Sequence, residues 1–250
     1  MLQELLLKVE RKAAKLYTSK AFRMRNQAPL VSFTFDDVPD SAFTNGASIL
    51  EHYGIRGTFY IASGICDTTD AHWHYITPEQ VRALYDRGHE IGCHTYSHAN
   101  MESCSAANAD EQCRKNHNLL RRLCGDLRLT NFAYPYGGVT IMRKLQLQKR
   151  FDTCRGIVEG VNVGTVDLGL LKVVELYNRT LTPERLKQVL RETCDTNGWL
   201  VFYTHDVADP PSWIGCTPEL LRSTIEAVQA MGLKCLPVQD ALKFIGYSSR

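Results

Sequence analysis

The sequence predicts an α/β fold in which a mostly parallel sheet rolls into a closed or nearly closed barrel. Three observations carry that expectation. Apolar, β-branched and aromatic runs recur near residues 31–35, 57–62, 89–93, 131–134, 152–157, 171–177, 200–204 and 233–237, with helical segments between most of them. Three helices open alike, at Thr77-Pro78-Glu79, Thr182-Pro183-Glu184 and Thr217-Pro218-Glu219, with Thr as N-cap and Pro at the first helical position. Each is closed by a glycine (Gly88, Gly198, Gly232) and followed within a few residues by an apolar strand. No linker-like segment interrupts the 250 residues, a length that one barrel fills.

Taken in order, the chain opens with Leu2, Leu5, Leu6, Val9, Ala13 and Leu16 at helical spacing, with basic residues between them. Residues 1–25 hold seven Lys/Arg against Glu4 and Glu10, leaving 22 basic and 25 acidic residues in the rest. We therefore read residues 1–25 as a basic amphipathic helix and residues 26–250 as the barrel. Docking on the barrel is the simpler role for this helix. A peripheral contact of residues 1–20 with a membrane surface or a lipid-linked substrate is the other. The overall charge of +2 gives no case for nucleic acid. Leu5-Leu6-Leu7, flanked by Glu4 and Lys8, is too short for an export signal, and the nine cysteines include no CxxC pair. The expectation is a cytoplasmic protein with reduced thiols, at most associated with a membrane surface.

The first barrel strand, Val31-Ser32-Phe33-Thr34-Phe35, ends on Asp36 and Asp37. Carboxylates are rarely buried unless paired or metal-bound, so an Asp pair at the mouth of a core strand suggests a site. Neighbouring residues of an ideal strand point to opposite faces; both can serve one site only if the chain bends, which Pro39 favours. Ile49, Leu50 and Tyr53 then mark a helix ending at Gly54.

His94 and His98 follow the strand near 89–93, four residues apart. One helical turn there sets both imidazoles on one face, suited to a divalent metal, with His–zinc bonds of about 2.0–2.1 Å. Two His and one carboxylate leave coordination positions open, as catalysis requires, and free the second Asp to act as a general base. His72, His74 and His117 read as surface residues, and His89 as a structural histidine within a strand.

Leu200-Val201-Phe202-Tyr203-Thr204 is a buried strand ending at His205, an imidazole able to protonate a leaving group. Phe132-Ala133-Tyr134-Pro135-Tyr136-Gly137-Gly138 is a strand followed by a turn that can aim a backbone N–H at developing negative charge.

In this order Thr34-Phe35-Asp36-Asp37, His94-Thr95-Tyr96-Ser97-His98, Tyr134-Pro135-Tyr136-Gly137 and the strand ending at His205 resemble the motifs of the polysaccharide deacetylase (NodB-homology) family of carbohydrate esterases. The resemblance implies a distorted (β/α) barrel of about seven strands, here with an extra N-terminal helix. It implies metal-dependent removal of N-acetyl groups from amino sugars; the two-His-one-carboxylate set itself favours zinc as the ion. It further implies Asp36 as base, Asp37, His94 and His98 as metal ligands, His205 as acid, and the Tyr136 backbone N–H in the oxyanion site. Many members carry an Arg two residues before the motif proline, where it braces the catalytic Asp; this chain has Ala133. Arg155, on the next predicted strand, could supply that charge from beside it, or be a solvated strand-end residue. The family's Asp/Trp motif is not recognisable, which leaves Trp73 and Trp213, both in loops on the active face, as candidates to stack on a sugar.

The reading is a carbohydrate N-deacetylase acting on an N-acetylated sugar or glycan, with a soluble or lipid-linked precursor favoured over a finished wall polymer. Hydrolysis of a non-sugar amide on the same barrel is the alternative within enzymes. A glycan-binding protein without catalysis is the alternative outside them, and the complete Asp/His set counts against it.

Overall fold

The computed structural model describes residues 2–248, with side chains from residue 7 onward. In chain order the strands are β1 (Ala21–Arg23), β2 (Leu30–Asp36), β3 (Thr58–Ile61), β4 (Glu90–Cys93), β5 (Asn131–Ala133), β6 (Thr153–Glu159), β7 (Thr165–Asp167), β8 (Leu171–Glu175), β9 (Trp199–Thr204) and β10 (Lys234–Cys235). The helices are α1 (Leu2–Leu16), α2 (Ser48–His52), α3 (Pro78–Asp86), α4 (Ala106–Cys124), α5 (Ile141–Leu147), α6 (Pro183–Asp195), α7 (Pro218–Ala230) and α8 (Val238–Phe244). A π-helical segment, Ala42–Ala47, leads into α2.

Seven parallel strands, in the order β2-β3-β4-β5-β6-β8-β9, close into a barrel because β9 pairs back on β2 from Leu30↔Trp199 to Phe35↔Thr204. The fold class and the expected number of strands hold. The eighth expected strand, near 233–237, is the two-residue β10, which pairs with β2 outside the ring. Alternation along β2 sorts its side chains. Val31, Phe33 and Phe35 join the large core with Leu50, Phe59 and Ile225, whereas Leu30 packs with Trp199, Val201 and Tyr203 in a second cluster. Ser32, Thr34 and Asp36 share the parity of Leu30. Because every barrel strand is parallel, all their C-terminal ends open at one mouth.

The three Thr caps form as expected: Thr77, Thr182 and Thr217 accept from the backbone N–H of Gln80, Arg185 and Leu220. Gly88 and Gly232 take the left-handed conformation after α3 and α7. After α6 that role falls to Asn197, with φ 49°, rather than to Gly198.

The N-terminal stretch is shorter as a helix than expected. Helix α1 ends at Leu16, and β1 pairs antiparallel with β7 in a ribbon that the sequence reading lacked. The helix docks on the body: Ala14 is fully buried, Arg11 pairs with Glu102, and the buried Lys144 ammonium donates to the Ala14 and Tyr17 carbonyls at 2.7 and 2.5 Å. Asp167 pairs with Lys144 at 2.6 Å. Among the described residues no helix is long and apolar enough to cross a membrane.

Candidate active site

Both carboxylates reach the barrel mouth by different means. Asp36 is the last residue of β2 and, by alternation, faces the interior. Asp37 and Val38 are both left-handed, each with φ 57°, so the chain turns back just before Pro39 and Asp37 comes to the same side. A β-branched residue at positive φ is strained. The surroundings hold it there: Val38 is fully buried, and its carbonyl accepts the Ile76 N–H at 3.0 Å.

His94 and His98 also converge, though not through a helical turn. Residues 94–100 form an irregular loop in which Thr95 (φ 64°) and His98 (φ 54°) are left-handed. The Thr95 hydroxyl accepts the Ala99 N–H at 2.8 Å and closes the loop. A four-residue spacing is shared by helices and compact loops, so it could not tell them apart. His94 Nδ1–H donates to the Ala133 carbonyl at 2.9 Å, which turns Nε2 into the site.

Asp37 Oδ1 lies 3.0 Å from His98 Nε2 and 3.3 Å from His94 Nε2, yet is buried without a hydrogen-bond partner. All three potential ligand atoms lie within 4.8 Å of one another. Burial alone favours the neutral Asp37 acid, but the close approach of His94 and the charges of His94, His98 and His205 hold the carboxyl well below its usual range. Burial, with the charge of His94, pushes His98 down to about 4, so at neutral pH its Nε2 is a lone pair facing a carboxylate. The two imidazole nitrogens and the carboxylate oxygen thus face one another in one small volume. The donor set therefore fits a divalent cation, with two imidazoles and one carboxylate.

Arg155 leaves β6 opposite Ala133, its register partner on β5, and its guanidinium pairs with Asp36. It is 1% exposed, which removes the solvated alternative. The guanidinium lies over the rings of Tyr60, at 4.7 Å, and Tyr203, at 5.2 Å. Burial works against its charge, but Asp36 together with Tyr60 and Tyr203 more than offsets that and raises its pKa. Gly92 sits where any Cβ would strike the Tyr60 ring, so the glycine lets that ring lie against the β4 backbone.

His205 caps β9 with Nε2 3.9 Å from Asp37 Oδ2, while Nδ1 meets the Ile214 carbonyl at 3.1 Å. Tyr136, left-handed at φ 60°, lays its ring against His98 with centroids 4.4 Å apart. Asp36, Asp37, His94, His98, Tyr136 and His205 thus line one cavity of about 450 Å³. Trp73 lines it too, but its ring is stacked on His205, at 5.9 Å and 12°, leaving one face fewer for a sugar. Trp213 stands outside the lining, 74% exposed beneath the Arg179 guanidinium. His72, read as a surface residue, is exposed at the cavity rim.

Sequence reasoning missed Tyr60, Tyr203 and Asp206. The two tyrosines were findable by parity, since Tyr60 pairs with Asp36 and Tyr203 with Thr34 across the ladder. Asp206 carried no signal beyond following His205. Its buried carboxylate holds the Ser212 N–H at 2.8 Å, and with it the loop that carries Ile214.

A family model described as polysaccharide deacetylase matches residues 23–151, just over half of the chain. A chitooligosaccharide deacetylase of Sinorhizobium fredii is 25% identical over 111 residues, 44% of this chain and 48% of that protein. The chain thus spans about half the length of that relative. A chitin deacetylase of Colletotrichum lindemuthianum is 24% identical over 220 residues, 86% of this chain and 80% of that protein. Among solved structures, a family 4 acetyl xylan esterase from Clostridium thermocellum, in complex with a cobalt ion, shares the fold. Its TM-score is 0.60 at 22% identity, covering 88% of this chain and 93% of the other. This chain belongs to the polysaccharide deacetylase family.

Proposed function

We propose that the chain is a metal-dependent hydrolase that removes N-acetyl groups from an amino sugar or a glycan precursor. One observation carries the reading: Asp37, His94 and His98 converge within 4.8 Å in a cavity that Asp36 and His205 also line. A divalent ion held there, with zinc the best match to the ligand types, supplies Lewis acidity toward the acetyl carbonyl and toward water.

The remaining steps belong to the chain's own residues. Asp36, paired with Arg155, takes a proton from water as the water oxygen bonds to the acetyl carbon. The Tyr136 backbone N–H donates to the oxygen that becomes negative. His205 gives the Nε2 proton to the nitrogen as the C–N bond breaks, its electron pair staying on nitrogen. The products are acetate and an ammonium group, the proton of the nascent acetic acid passing to the amine, and the proton on Asp36 passing to His205 restores the resting state.

Acetate release tests the reading, measured against N-acetylated monosaccharides, oligomers and nucleotide sugars with metal added and removed. Metal-dependent release from at least one of them is expected. Release from non-sugar amides alone would move the function to another amide class.

A further inference from the structure

We infer that Trp73 is a positioning residue for His205, an inference that rests on the deacetylase reading. His205 needs its ring fixed about two axes if Nε2 is to meet a leaving nitrogen. The Ile214 carbonyl fixes one, since Nδ1–H donates to it at 3.1 Å and turns Nε2 toward the cavity. That bond leaves the ring free to swing about it, within limits set by the rings of Tyr177 and Tyr203, whose centroids lie 6.0 and 6.4 Å away, and of Trp73. The Trp73 indole is the one of these rings that lies nearly parallel to the imidazole, at 12° with centroids 5.9 Å apart, and so bounds the swing toward its own side.

Trp73 is itself held. Asp70 Oδ1 accepts the backbone N–H of His72 at 2.7 Å and of Trp73 at 2.9 Å, while Asp70 Oδ2 accepts the Tyr75 hydroxyl at 2.6 Å. The Tyr75 ring meets the indole edge-on at 6.1 Å. One carboxylate therefore fastens the loop, the loop fastens the indole, and the indole holds the imidazole. The same stacking makes Trp73 less available to a sugar, because one face of its ring is already covered.

The test exploits leaving-group chemistry. An amine departs only when protonated, whereas 4-nitrophenolate departs without an acid, so a group acting through His205 matters for amides and not for an activated ester. Kinetics of wild type, Trp73→Ala, Trp73→Phe and His205→Gln are compared on an N-acetylated chito-oligomer and on 4-nitrophenyl acetate. Trp73→Ala is expected to lose about tenfold or more in kcat on the amide, with little change in KM and little loss on the ester. Trp73→Phe, which keeps a stacking ring, recovers most of that loss. In the double variant Trp73→Ala with His205→Gln the losses do not multiply. A rise in KM with kcat intact would make Trp73 a sugar platform and overturn the inference, as would equal losses on amide and ester. A wild type that releases no acetate from any amide overturns the deacetylase reading itself.

Discussion

Arg155 on β6 closes an ion pair with Asp36 at the end of β2, and its register partner on β5 is Ala133. The positive charge beside Asp36 thus comes from β6, at the register height of Ala133. Arg155→Met should therefore leave metal content intact, since Arg155 touches none of the three ligands proposed here. It should lower kcat/KM by about tenfold to hundredfold through loss of orientation at Asp36. Leaving Asp36 buried and unpaired should also cost about 3–5 kcal/mol of stability. The double variant Ala133→Arg with Arg155→Met should regain part of both losses. Normal kinetics for Arg155→Met would make the pair a structural feature only.

His89 gives a pH prediction at the opposite end of β4 from His94. The Gly57 N–H donates to its Nδ1 at 3.1 Å, so its Nε2–H donates to Glu51 at 3.0 Å, and the ring is neutral. Burial pushes its pKa down, with Glu51 opposing only in part. An unfolded imidazole titrates near about 6.5. Below that value the unfolded chain takes up the proton first, so stability present above it is lost as pH falls toward the depressed folded value. Thermal melts of metal-loaded protein should show Tm dropping between pH 7 and pH 5, and His89→Gln should flatten that drop. Parallel profiles for the two proteins would contradict the assignment.

Lys144 ties the first helix down. Deleting residues 1–17 removes the Ala14 and Tyr17 carbonyls that its ammonium donates to. Hydrogen bonds to charged groups contribute about 1.5–3 kcal/mol each, so denaturant melts should show a loss of that order or more. A truncated protein as stable as the full chain would mean that the helix is an appendage.

Much of this was legible because the informative residues sit at strand ends. A period-two strand closing on Asp36-Asp37 and another closing on His205 reveal both the barrel and its mouth. What stayed hidden depended on register and on loop conformation. No pattern in β6 says that Arg155 stands opposite Ala133; the pairing of two strands decides it. The bend that brings Asp37 round lies in left-handed Asp37 and Val38, which a reader of propensities would not assign to a β-branched residue. The three-residue strands β1 and β7 escaped because each is too short to show alternation and is only partly buried.

The most direct test is metal stoichiometry joined to acetate release, for wild type and for His94→Ala, His98→Ala and Asp37→Ala. One divalent ion per wild-type chain is expected. Each substitution should collapse both the occupancy and metal-dependent acetate release, because these three groups supply the converging ligand atoms. Full occupancy in all three variants, or undiminished acetate release from metal-stripped wild type, would contradict the account.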